Sequence, residues 1–88
     1  MPIRFDPHKA AANRKKHGIS FAEAEPVLND PLALTRENGD AEGETRWVTI
    51  GLGAENQVLV VVWTQRSPNI RLISVRKATR NERISYEG

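Results

Sequence analysis

Cysteine is absent from this 88-residue chain, which excludes disulfides and every thiolate metal site. Long apolar runs are absent as well: the longest, Val58 to Trp63, is far shorter than the roughly 20 residues that cross a bilayer. No apolar stretch follows Met1-Pro2-Ile3-Arg4, so no secretion signal is expected and the expected setting is cytoplasmic. Histidine is scarce. His8 and His17 fall at opposite ends of one predicted helix, with no His-Glu-x-x-His pattern or acidic cluster beside them. No glycine-rich phosphate loop is present, because Gly51 and Gly53 read only as hairpin residues. Any chemistry is therefore expected to run with no metal and no nucleotide cofactor.

What is present is a basic carboxyl-terminal third. The length fits one domain, residues 1–88. Residues 1–30 carry five basic side chains against four acids, residues 31–45 one against four, and residues 46–88 seven against three. From Arg66 to Arg83 the charges are Arg66, Arg71, Arg76, Lys77, Arg80 and Arg83, with Glu82 the one acid. Arginine's planar fork suits phosphate oxygens better than an ammonium does. The plain alternative is a solvated basic face with no ligand.

The punctuation predicts an α+β domain. Asp6 caps a helix with Pro7 at its first position, ending near His17 at Gly18. Ser20 and Glu23 have capping-box spacing for a second helix with an apolar stripe of Phe21, Ala24, Val27 and Leu28. Pro26 would lose a hydrogen bond inside that helix, so a kink or break is expected there. Four strands follow, over Leu32 to Glu37, Arg46 to Gly51, Val58 to Arg66 and Ile70 to Lys77. Their short connections favour an antiparallel meander. The β-branched run from Val58 reads as the central strand, and Ile3 to Phe5 as a possible extra one. Thr79 and Glu82 cap a last helix through Tyr86.

On this layout Arg66 and Arg71 flank the Ser67–Asn69 turn, while Arg76 and Lys77 lead into the last helix. Arg80, Arg83 and Tyr86 share a face of that helix, so Arg76, Arg80, Arg83 and Tyr86 are expected to converge on one phosphate-sized site. Tyr86 has an equally good reading as a ring packed on the sheet. Lys9, Asn13 and Lys16 form a polar stripe on the first helix beside His17. That histidine either complements the helix dipole or moves protons. Trp63 reads as core and Trp47 as an exposed platform for stacking bases.

Taken together, the chain resembles the BrnT toxins of bacterial type II toxin–antitoxin systems. The resemblance rests on Phe5-Asp6-Pro7, Lys9-Ala10, Asn13, Lys16-His17-Gly18, Ser20-Phe21, Glu23-Ala24 and Asp30-Pro31. It continues through Arg46, Ile50-Gly51, Val61-Val62, Thr64, Arg66, Ile70-Arg71, Ile73-Ser74, Arg76, Ala78-Thr79, Glu82-Arg83 and Tyr86-Glu87. Arg4 and Glu25-Pro26 depart from it. The resemblance implies a RelE-like ribonuclease fold and a toxin that inhibits translation by cutting RNA. It also implies a ribbon-helix-helix antitoxin as partner, through which alone the complex reaches operator DNA.

Metal-free RNA cleavage turns the 2′-hydroxyl on the adjacent phosphorus and needs cations on the phosphorane. The expected catalytic set is Arg76, Arg80 and Arg83 on that phosphorane, with His17 exchanging protons and Tyr86 alongside. Lys16 is an alternative base. The expected RNA-binding set is Lys9, Lys16, Trp47, Arg66, Arg71 and Lys77. The competing reading is a module that uses the same basic face to hold nucleic acid, or a protein, without cutting.

Overall fold

A computed structural model describes residues 3–41 and 43–88, with only the backbone of Ala41. Met1, Pro2 and Glu42, the last counted among the acids above, lie outside the described residues. The elements run β1 (Ile3–Arg4), α1 (Pro7–His17), a 3-10 turn (Phe21–Glu23), α2 (Ala24–Asn29), β2 (Leu34–Ala41), β3 (Glu44–Leu52), β4 (Val58–Arg66), β5 (Asn69–Lys77) and α3 (Arg80–Glu87).

The first helix forms as its caps predict. Asp6 Oδ1 accepts the His8 N–H at 2.8 Å, and Gly18 closes the helix at φ 71°, where its N–H donates to the Arg14 carbonyl. Asn13, expected on a polar stripe, is instead buried. Its Nδ2 donates to the carbonyls of Ile19 (3.0 Å) and Val75 (2.9 Å), and its Oδ1 accepts the Val75 N–H (3.0 Å). One side chain thus supplies the two bonds a neighbouring strand would give Val75, and it pins α1 to β5.

The second helical segment departs from expectation. Ser20 caps it by accepting the Ala22 N–H, but Glu23 turns away to accept the Ala54 N–H at 3.0 Å, so the box stays open. The chain makes a 3-10 turn and restarts as α2 at Ala24. This restart puts Pro26 at the third helical position, where no intrahelical bond is lost. The break precedes the proline and removes its cost. Phe21, Ala24 and Val27 of the expected stripe are buried all the same.

The sheet has the order β1-β5-β4-β3-β2, with β4 at its centre. Strands β2 to β5 pair antiparallel with their sequence neighbours, while β1 pairs parallel to β5 through Ile3↔Ile70 and Arg4↔Arg71. The result is a mixed five-stranded sheet in place of a pure meander. Strand β2 starts two residues later than expected and runs on to Ala41 through an irregularity between Glu37 and Asp40. Of the residues between the expected strands ending at Glu37 and starting at Arg46, Asn38 to Ala41, Glu44 and Thr45 are therefore strand.

Register separates two faces. Leu59, Val61, Leu72 and Val75 point to the covered face and pack against Ile19, Phe21, Ala24 and Val27, with Ala10 of α1 alongside. Gly51 lies on this face: a Cβ there would sit 2.9 Å from the Val27 carbonyl oxygen, so α2 packs directly on the β3 backbone. The opposite face carries Val48, Ile50 and Val60, backed by Val58, Val62, Ala78 and Tyr86. Helix α3 lies over part of it, closed by the expected capping box between Thr79 and Glu82. The rest of this face is open.

Candidate functional site

Alternation along paired strands gathers charge on the open face. Arg46 of β3 stands opposite Thr64 of β4, and Arg71 of β5 stands opposite Thr64 on its other side. Glu44 and Arg66 follow two residues along on the same face. Lys9 of α1 and Ile73 complete a recess of about 140 Å³ holding four cations and one carboxylate. Arg66 grips Glu44 with two bonds, Nε to Oε2 and Nη2 to Oε1, each 2.9 Å. Those hydrogen bonds hold the Glu44 carboxyl below its ordinary range, and the charge of Arg71 adds to the effect. The side chains of Lys9 and Arg46 make no hydrogen bond or ion pair with any described residue.

A second recess adjoins the first, sharing Lys9 and Ile73, and is lined further by Ala12, Asn13, Lys16, His17 and Ser74. The two recesses, with Lys9 and Ile73 common to both, make up a trough that holds Arg66 in the first and half-buried His17 in the second. Lys9, Lys16, His17, Arg66 and Arg71, all named from sequence, meet along it.

The carboxyl-terminal cluster is arranged otherwise. Arg76 donates from Nη1 to Glu82 Oε1 (2.8 Å) and from Nη2 to Oε2 (2.9 Å). This pairing pulls the Glu82 carboxyl down to about 2 and raises Arg76. The Tyr86 hydroxyl donates to Asp30 Oδ2, and Asp30 also accepts the N–H groups of Leu32 and Leu52. The Tyr86 bond is the leading cause that lowers Asp30 and raises Tyr86. Arg80 and Arg83 stand exposed, and none of the four lines the trough. Arg76 and Tyr86 tie α3 to the sheet and to the end of α2, so the expected convergence of four side chains is not formed. The physical reason is that Glu82 and Asp30 lie within reach and engage the Arg76 guanidinium and the Tyr86 hydroxyl in charge-assisted hydrogen bonds.

Trp47 also sits elsewhere. It stacks on Trp63 at 6.0 Å between centroids, and the register puts both on the covered face, away from the recess. Trp63 Nε1 donates to Thr49 Oγ1 at 2.9 Å, and that hydroxyl bonds Thr35 at 2.8 Å. Lys77, exposed and opposite Leu59, belongs to that same face. Sequence reading missed Glu44 and Arg46 as site residues. The signal lies in Glu44-x-Arg46 facing Thr64-x-Arg66 across an antiparallel pair, but the strand expected over Arg46 to Gly51 leaves Glu44 outside it.

Comparison with known proteins bears on this geometry. The family model described as "Ribonuclease toxin, BrnT, of type II toxin-antitoxin system" matches residues 5–82. Among solved structures, the crystal structure of the Brucella abortus ribonuclease toxin BrnT is similar at 25% identity and a TM-score of 0.67, covering 91% of this chain and 99% of that one. None of the curated proteins compared with the chain matches it.

Proposed function

Since the chain belongs to the BrnT family of ribonuclease toxins of type II toxin–antitoxin systems, we propose that it cleaves RNA without a metal in the trough between Arg66 and His17. One observation carries this reading: four cations line one recess around a single carboxylate, and among the described residues Lys9 and Arg46 make no hydrogen bond or ion pair. Such a donor set repels a divalent cation and attracts a phosphodiester. In the reaction the 2′-hydroxyl attacks the adjacent phosphorus, the bond to the 5′-oxygen breaks, and a 2′,3′-cyclic phosphate and a free 5′-hydroxyl result. Lys9, Arg46 and Arg71 hold the scissile phosphate and the charge that grows on it. Arg66, its plane fixed by Glu44, completes the cradle. His17 exchanges the proton, and Lys16 holds a flanking phosphate. Exposed Arg80 and Arg83 are read as contacts to more distant phosphates, and Arg76 and Tyr86 as the supports of α3.

The partner in this reading is a ribbon-helix-helix antitoxin that carries the complex to operator DNA, and the cleaved RNA is one whose loss stops translation. A RelE-like comparison is supported by a sheet with α1 and α2 on one face and an opposite face that α3 covers only in part, leaving a basic recess beside it. No described helix is long and apolar enough to cross a membrane, which agrees with action on cytoplasmic RNA.

The test is incubation of purified protein with RNA in excess EDTA. Wild type should cut, and Arg46→Ala should lose about 10²–10³ in rate, as for one preorganised donor. Cleavage abolished by chelation would remove metal independence. Retarded but intact RNA would favour a module that binds without cutting. Undiminished cleavage by the variant would move the site away from the trough.

A further inference from the structure

We propose that the groove between α3 and the β2–β3 hairpin docks the antitoxin, through an extended segment bearing apolar residues followed by acidic ones. This rests on the toxin reading and adds to it the seat of the partner and its chemistry.

The groove has a volume of about 280 Å³ and lies on the open face, lined chiefly by Leu34, Arg36, Val48, Ile50, Asn81 and Ser85. Val48 and Ile50 form an apolar floor, and Leu34 at the rim is 45% exposed. Leu32 and Ile84, in the flanking segments, are 71% and 55% exposed, an unusual concentration for a chain with so few large apolar side chains on its surface. Strand β2 is the last strand on this side of the sheet, so the backbone groups along its outer edge have no strand to meet. An extended partner segment can pair there while alternate side chains enter the groove.

Charge and continuity indicate the occupant. Glu82, the acid on the groove wall, is neutralised by Arg76, whereas the Arg36 side chain has no hydrogen bond or ion pair among the described residues. The groove is therefore apolar with a surplus positive charge, which suits a protein segment with a carboxylate. It offers no aromatic platform to a base. Along β3 the floor residues Ile50 and Val48 lead directly to Arg46 and Glu44 on the same face. Successive residues on one face of a strand are about 6–7 Å apart, so a segment of roughly six residues reaches from the groove into the recess. The grip of Arg66 on Glu44 shows how a carboxylate seats there. Apolar residues anchoring in the groove and acids falling on Arg46 and Arg71 would both bind and silence the toxin.

The experiment measures affinity for the cognate antitoxin by calorimetry and, in parallel, RNA cleavage by each free variant in EDTA. Ser85→Trp fills the groove and Leu34→Glu places an acid at its rim. Both positions are exposed, and thermal melts check their folding. Each should weaken the antitoxin by about tenfold or more, the scale of a lost interface anchor, with cleavage within about twofold of wild type. Unchanged antitoxin affinity in both folded variants overturns the proposal. Weakened RNA cleavage with unchanged antitoxin affinity overturns it in favour of RNA, and a change only in self-association overturns it in favour of a second copy. If wild type fails to cut RNA, the ribonuclease reading fails while the affinity comparison still decides the docking site.

Discussion

The two faces of the sheet are built by opposite rules. On the covered face Ala24, Val27, Val61, Leu72 and Val75 are fully buried, and the polar groups are tied off: Asn13 by three bonds, Thr49 by Trp63 and Thr35. No described buried side-chain polar atom lacks a partner. On the open face Lys9 and Arg46 line a recess, and no described residue bonds or pairs with them. Unpaired cations are tolerated there because water screens them, and they would be ruinous a few ångströms away across the strand. The larger core lies on one side, and the capacity to hold an anion lies on the other, beside the smaller cluster of Val48, Ile50 and Val60.

That division is open to attack. The largest effect should come from Leu72→Ala, which empties a fully buried position and should cost about 2–5 kcal/mol in denaturant unfolding. Cleavage per folded molecule should stay at the wild-type rate, and a rate loss beyond the loss of folded protein would break the separation. Asn13→Ala should come next. It leaves three backbone groups at Ile19 and Val75 unpaired and should cost about 1–3 kcal/mol, with hydrogen exchange accelerated at Val75 before the rest of β5. The smallest effect concerns the pair that moors α3. Glu82 is held at about 2 against an ordinary 4.5, so its contribution is present above pH 4.5 and is lost as pH falls toward 2. Wild type should therefore lose up to about 1 kcal/mol relative to Glu82→Gln across that window, a value limited by the solvent exposure of the pair. Parallel acid titrations of the two proteins would settle the sign.

Much of the framework was legible because it is locally encoded. Asp6-Pro7, Gly18 and the Thr79–Glu82 box mark ends that depend on the nearest few residues, and the valine run of β4 suits only a buried strand. The misreadings share a cause, which is a partner distant in sequence. Asn13 looked like surface until Val75 came beside it, and Glu23 looked like a cap until the turn at Ala54 claimed it. Arg76 and Tyr86 looked like phosphate ligands, yet Glu82 and Asp30 are their partners. The recess was half visible: Arg66, Arg71, Lys9 and His17 stood out by charge or chemistry, while Glu44 and Arg46 became site residues only when pairing with β4 fixed their side of the sheet.

The hold of Asn13 on Val75 has a consequence for how this molecule can associate. Together with the two-residue β1, that amide occupies part of the β5 margin, at Ile70, Arg71 and Val75, whereas β2 offers a longer edge from Leu34 to Ala41. An unending ribbon needs two borders of equal quality, and a border already occupied at three positions is the poorer place for a strand to add.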